Sequence, residues 1–150
     1  MKKTLILTII FGLFLNFSAW ASMVSFFVIE TGLPEERGVI RQSILWENAF
    51  LDVFFESGYI VSNAPILTLE RIPSDILRVI DIEEAIRGGV EVMVIARLDY
   101  IPDSQSPRNV TLFVYNLTPH RKTFERQFPG SSRDIEEIKT LVRGLIPYVG

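Results

Sequence analysis

The sequence has no cysteine and a single histidine, His120, among its 150 residues. Without thiols there is no disulfide framework, so the hydrophobic core has to hold the folded state. A zinc site needs three or four nitrogen, sulfur or carboxylate ligands, and one histidine cannot begin that set. No serine stands with His120 in a recognisable nucleophile motif. Basic clusters are just as scarce: beyond Lys2-Lys3, Arg121-Lys122 is the only adjacent basic pair. Phosphate binding depends on clustered cations, so no nucleic-acid partner is expected. Gly88-Gly89 follows a helical stretch and precedes an apolar one, the reverse of the strand-to-helix order of phosphate loops. No catalytic group, metal or cofactor is therefore expected, and repeats, low-complexity tracts and linkers are missing too.

What the sequence does have is apolar residues, 48% of the chain at a mean hydropathy of +0.29. Part of that sits at the start. Met1-Lys2-Lys3 is basic, Leu5 to Leu15 is almost unbroken apolar sequence, and Ser18-Ala19-Trp20-Ala21 ends in small residues spaced A-x-A. This is the layout of a secretory signal peptide, shorter than the roughly 20 apolar residues of a membrane span. Cleavage is expected after Ala21, leaving residues 22–150 as a single domain in the periplasm or outside the cell. Loss of Lys2 and Lys3 takes the formal charge from −3 to −5. A lipoprotein is not expected, since that anchor is built on a cysteine. Asn109-Val-Thr111 and Asn116-Leu-Thr118 match the glycosylation pattern, but such triplets arise by chance and carry no weight.

Hydrophobic periodicity gives the order β-α-β-α-β-β-β-α. Met23 to Glu30 reads as a buried strand, bounded by Thr31-Gly32. Pro34 is placed to open a helix, with Glu35 and Glu36 near its positive end, although Gly38 weakens that start. From Val39 to Ser57, Ile40, Ile44, Leu51 and Phe54/Phe55 recur at helical spacing, widened by Trp46, Phe50 and Val53. Gly58 is a natural stop. Tyr59 to Val61 reads as a strand, whereas Ile66 to Ile72, bracketed by Pro65 and Pro73, is strand or connector. Ser74 and Asp81 are possible N-caps for one helix or a broken pair ending at Arg87. Val90 to Ile101 is apolar on both faces at its start, which places it in the sheet centre. Pro102 to Pro107 is turn chemistry. Val110 to Leu117 and Arg121 to Phe128 complete an antiparallel meander, and Ser131 and Asp134 cap a final amphipathic helix. The fold class is α/β (α+β): one two- or three-layer domain with a mixed sheet of about five strands, after an N-terminal signal helix.

Several fragments carry a resemblance: Val24-Ser-Phe-Phe-Val-Ile29, Phe55-Glu-Ser-Gly-Tyr-Ile-Val61, Ala85-Ile-Arg-Gly-Gly-Val-Glu-Val-Met-Val-Ile95, Leu112-Phe-Val-Tyr-Asn-Leu117 and Lys122-Thr-Phe-Glu-Arg-Gln-Phe128. With the terminal helix, their order resembles the small periplasmic α/β domain shared by the amino-terminal domain of TolB, the activator LpoB, and CsgG- and FlgO-like envelope proteins. Members often carry a Thr-Gly turn between the last two strands, where this chain has Thr118-Pro119-His120. The resemblance implies a non-catalytic, partner-binding envelope domain and transfers no functional residue.

The leading expectation is a periplasmic interaction module that docks another envelope protein through a sheet edge or the 102–107 loop. Its candidate contacts are Trp46, Phe55, Asp103, His120 and Arg121. A second expectation is a carrier holding a small apolar ligand in a cavity of several hundred Å3 between the aromatic helix and the sheet. The least favoured is a hydrolase using Asp99 and Asp103, which needs both carboxylates in one cleft. Glu35-Glu36, Glu83-Glu84 and Glu136-Glu137 are read as helix first-turn acids rather than catalytic pairs.

Overall fold

The structure, a computed structural model, describes residues 22–150. The proposed signal segment, 1–21, lies outside the described residues. Strand β1 (Met23–Thr31) leads to helix α1 (Arg41–Glu56), then to short strands β2 (Ile60–Asn63) and β3 (Leu67–Leu69). A 3-10 turn (Ile76–Val79) and helix α2 (Ile82–Arg87) precede the meander β4 (Val92–Asp99), β5 (Asn109–Leu117) and β6 (His120–Pro129). Helix α3 (Ile135–Arg143) and a 3-10 turn (Ile146–Tyr148) follow. The sheet runs β2-β1-β4-β5-β6, with β3 continuing the β2 side of β1. Its β2/β3, β1 and β4 part is parallel, and β4, β5 and β6 are antiparallel. The expected mixed α/β sheet is present, with the ambiguous Ile66–Ile72 stretch contributing three residues of strand.

Alternation along β4 divides the core. Val92, Val94, Ala96 and Leu98 join α1 and α3 on one side of the sheet. Met93 and Ile95 meet Ile76, Ile80 and the 3-10/α2 segment on the other. A strand apolar on both faces is stable only between two covering layers, so the fold has three layers, the second a thin one.

Helix α1 departs from the expected register. Trp46, Ala49, Phe50, Val53 and Phe54 are buried, while Ile44 is 41% and Phe55 72% exposed. At 100° per residue, Ile44, Leu51 and Phe55 lie on the side of the helix opposite Trp46, so the aromatic set is the true inward stripe. Pro34 does not open the helix. Residues 34–37 close a turn through Arg37 N to Pro34 O (3.0 Å), and Glu35 and Glu36 are exposed outside α1. Helix α1 begins at Arg41 with no side-chain cap of its own. Its cap residue, Ile40, donates its N–H to Glu30 Oε1 on β1 (2.9 Å). The 3-10 turn is capped by Asp75, not Ser74, and α2 by Asp81. In α3, Asp134 and Glu137 form a reciprocal capping box.

Two glycines fix the chain's course. Gly58 ends α1 at φ +85° in open space, and Gly32 turns out of β1 at φ +80°, where a Cβ would lie 2.3 Å from Tyr100 O. Lys139 Nζ on α3 reaches Asp52 Oδ2 on α1 at 2.8 Å, clasping the two helices together.

Candidate functional site

Polar groups collect at the carboxyl ends of β1 and β4, where α/β sheets commonly bind ligands. Asp99 accepts from Thr31 Oγ1 (2.7 Å), Arg97 Nε (2.8 Å) and Arg97 Nη2 (3.2 Å), and Arg97 also reaches Thr111 Oγ1 (3.2 Å). Thr31, Asp99 and Thr111 are buried, and the Arg97 guanidinium lies 5.8 Å from the Phe113 ring centroid. On the other side of the sheet, Glu30 is fully buried between Ile40 N and Thr68 Oγ1. The Tyr100 hydroxyl meets Ser43 Oγ at 2.9 Å. Burial pushes the Tyr100 phenol well above its ordinary pKa, outweighing the Ser43 hydrogen bond, and the nearby Glu30 charge adds to the rise. The Asp99 and Glu30 carboxylates each accept hydrogen bonds from protein donors at both oxygens, so the cluster braces the strand ends.

Asp99 and Asp103, the two carboxylates of the least favoured reading, differ in surroundings. Asp99 is buried with Arg97, whereas Asp103 is exposed in the β4–β5 loop with φ +66°. Among the described residues, no group of three or more His, Cys, Asp or Glu is placed to hold a metal, and no helix is long and apolar enough to cross a membrane.

The candidate contacts are dispersed. Trp46 is fully buried, which corrects its placement on a contact patch: it packs against Phe50, with ring centroids 6.1 Å apart. Phe55 is exposed on the last turn of α1. His120 and Arg121 are exposed at the start of β6, an edge strand of the sheet. The cavity expected between α1 and the sheet is occupied by Trp46, Phe50 and Phe54, with Phe26 5.4 Å from Phe50. A groove of about 540 Å3 lies instead on the far side, lined by residues including Met23, Phe27, Leu67, Ile80 and Val90. Another, of about 520 Å3, is polar and lies between the starts of α1 and α3, beside Arg41, Gln42 and Arg133.

The two sheet edges are unlike. On one side, β2 and β3 are four and three residues long and are separated by Ala64-Pro65-Ile66, a short, proline-broken edge that resists pairing. On the other, β6 runs for ten residues, pairs only with β5 among the described residues and is largely exposed. A register shift opposite Val114/Tyr115 leaves Thr123 as an extra residue in β6. Its hydroxyl lies 3.1 Å from Tyr148 O, tying the bulge to the chain's last turn. From Phe124 to Pro129 the strand is regular. Phe124, Arg126 and Phe128 lie opposite Val114, Leu112 and Val110, so they share the α3 side of the sheet. With Leu141, Gly144 and Tyr148 they line a groove of about 180 Å3 beside the open edge. The sequence shows Phe124 and Phe128 on one face; the part played by Tyr148, brought in by a turn after α3, leaves no local signal.

No protein-family model matches the chain, and comparison with curated proteins gives no match. Among solved structures, the chain is similar to a PelC dodecamer from Paraburkholderia phytofirmans, with 13% identity over 88% of this chain and 92% of that one and a TM-score of 0.51. TolB from Acinetobacter baumannii is similar at 8% identity over 86% of this chain and 28% of that one, with a TM-score of 0.47. At these identities the likeness concerns the fold, and an architecture hosts many functions: what the chain shares with PelC is a small mixed α/β domain.

Proposed function

We propose that this chain is a non-catalytic interaction module of the bacterial cell envelope, exported by its N-terminal segment, that binds another envelope protein by adding a partner strand to β6. The observation that carries this reading is the open β6 edge: a long strand with unpaired backbone groups beside an aromatic groove too small for a typical ligand site of about 300–1,000 Å3. The signal-like layout of residues 1–21 supports the location, and the satisfied carboxylates around Asp99 support binding over chemistry.

The test is cross-linking in cells from a photoreactive residue placed at Gln127, on the face of β6 away from the groove. A discrete adduct with an envelope protein, lost when Phe124 and Phe128 are both changed to serine, is the expected result. Recovery of uncross-linked monomer alone, under conditions that capture known envelope complexes, overturns the reading.

The apolar groove beside Met23, Phe27 and Leu67 favours a second reading, a carrier of a small apolar ligand. An apolar fluorescent probe displaced on changing Leu67 to aspartate separates the two, because that change leaves β6 untouched.

A further inference from the structure

We infer that the segment docking on β6 is an extended strand carrying an acidic residue flanked, two positions away on each side, by apolar residues. The inference rests on the strand-docking reading above and specifies its partner.

The regular arm of β6 presents the alternation Phe124, Arg126, Phe128 to the groove side. A strand added antiparallel to this arm places one side chain opposite each of the three, with Cβ atoms about 4.5–5.5 Å apart. Opposite Phe124 and Phe128 the favourable choice is apolar, because both rings are half-buried and continue into Leu141 and Tyr148. Opposite Arg126 the favourable choice is an acid. Arg126 forms no ion pair among the described residues, and its guanidinium lies 5.0 Å from the Phe128 ring centroid. The stacking holds the cation over the groove and leaves its nitrogen atoms available. Nearby charge reinforces the choice. Arg121 and Lys122 precede the bulge, and the one acid on the strand, Glu125, is already bonded to Lys122. An edge rich in cations on an otherwise acidic chain selects partners of opposite sign.

The same geometry disfavours a second copy. A two-fold pairing that sets Phe124 against Phe128 of the partner copy also sets Arg126 against Arg126, and like charges directly opposite are destabilising. Replacing one of those arginines by an acid turns that contact favourable without changing the aromatic ones.

The experiment uses the peptide Ser-Ile-Thr-Glu-Thr-Ile-Ser and two versions with glutamine or lysine in place of the glutamate. Affinity is read by fluorescence anisotropy and the docking place by amide hydrogen exchange. The expected order is glutamate, glutamine, lysine, with the lysine peptide about five-fold weaker than the glutamate one, a difference that shrinks in high salt, and slowed exchange within residues 124–128. Arg126→Glu, a change at an exposed position, reverses the order. Equal binding of all three peptides with slowed exchange at 124–128 overturns the acidic motif and leaves strand docking intact. Absence of slowed exchange on β6 with every peptide overturns both. Concentration-dependent dimers in sedimentation, abolished by Phe124→Ser, make a second copy the occupant and overturn the inference.

Discussion

Thr31 donates a 2.7 Å hydrogen bond to Asp99 across the parallel pair β1 and β4, joining residues 68 positions apart. Asp99 also holds Arg97, so one carboxylate fixes the ends of two neighbouring strands. Removing its charge strands a half-buried guanidinium. Asp99→Asn is expected to lower stability by about 3 kcal/mol, measured by urea unfolding. Asp103→Asn, at an exposed left-handed position that asparagine tolerates, is expected to change it by less than about 0.5 kcal/mol. Equal losses in the two variants would contradict the bracing role of Asp99.

The Tyr100 hydroxyl carries a pH signature. Its pKa is raised by folding, so its contribution to stability is full below pH 10.0, the ordinary phenol value. Above that pH the unfolded chain releases the proton first and stability falls. Tyr100→Phe is expected to cost about 1 kcal/mol at neutral pH through loss of the Ser43 bond. Between pH 10 and 12 its urea midpoint should decline less steeply than that of the parent chain.

Two left-handed glycines separate conformational cost from crowding. Gly58→Ala meets open space and is expected to cost about 1–2 kcal/mol, the penalty of a Cβ in that conformation. Gly32→Ala adds a clash with Tyr100 O and should be several times more costly, with loss of soluble protein the extreme result. Similar melting temperatures for the two variants would refute the close approach at Gly32.

Aromatic residues on opposite sides of α1 should behave oppositely. Trp46→Ala empties the centre of the core and is expected to cost about 3–5 kcal/mol, whereas Phe55→Ala should shift stability by no more than about 0.5 kcal/mol. Thermal melts of the two variants check this directly.

The sequence was most legible where the signal was local. The two-faced apolar run of Val92 to Ile95 and the stop at Gly58 appear where the residues alone place them, whereas the final helix is capped by Asp134 with Glu137 and not by Ser131. Legibility failed where distant groups decide. Helix α1 looks as though it starts at Pro34 because its actual partner, the Glu30 carboxylate, comes from a neighbouring strand. The helix also carries apolar residues on two sides. Ile44, Leu51 and Phe55 satisfy the helical period as well as Trp46, Phe50 and Phe54 do, so periodicity could not choose the inward side. Strand β3 is hidden by Pro65 and Pro73, which leave three residues free to pair with β1. For the candidate surface, His120 and Arg121 mark β6, but the groove needed Tyr148 from the far end of the chain.

The mixed character of the sheet also sets an order of assembly. The meander pairs segments adjacent in sequence, whereas β1 pairs with strands separated from it by a helix or more. Local pairings close with less loss of chain entropy. Of the sheet strands β1 emerges first during synthesis, yet the edge opposite β2 and β3 is paired only once β4 has been made. Until then one edge of this apolar strand is open, so the incomplete chain is a more adhesive object than the finished one.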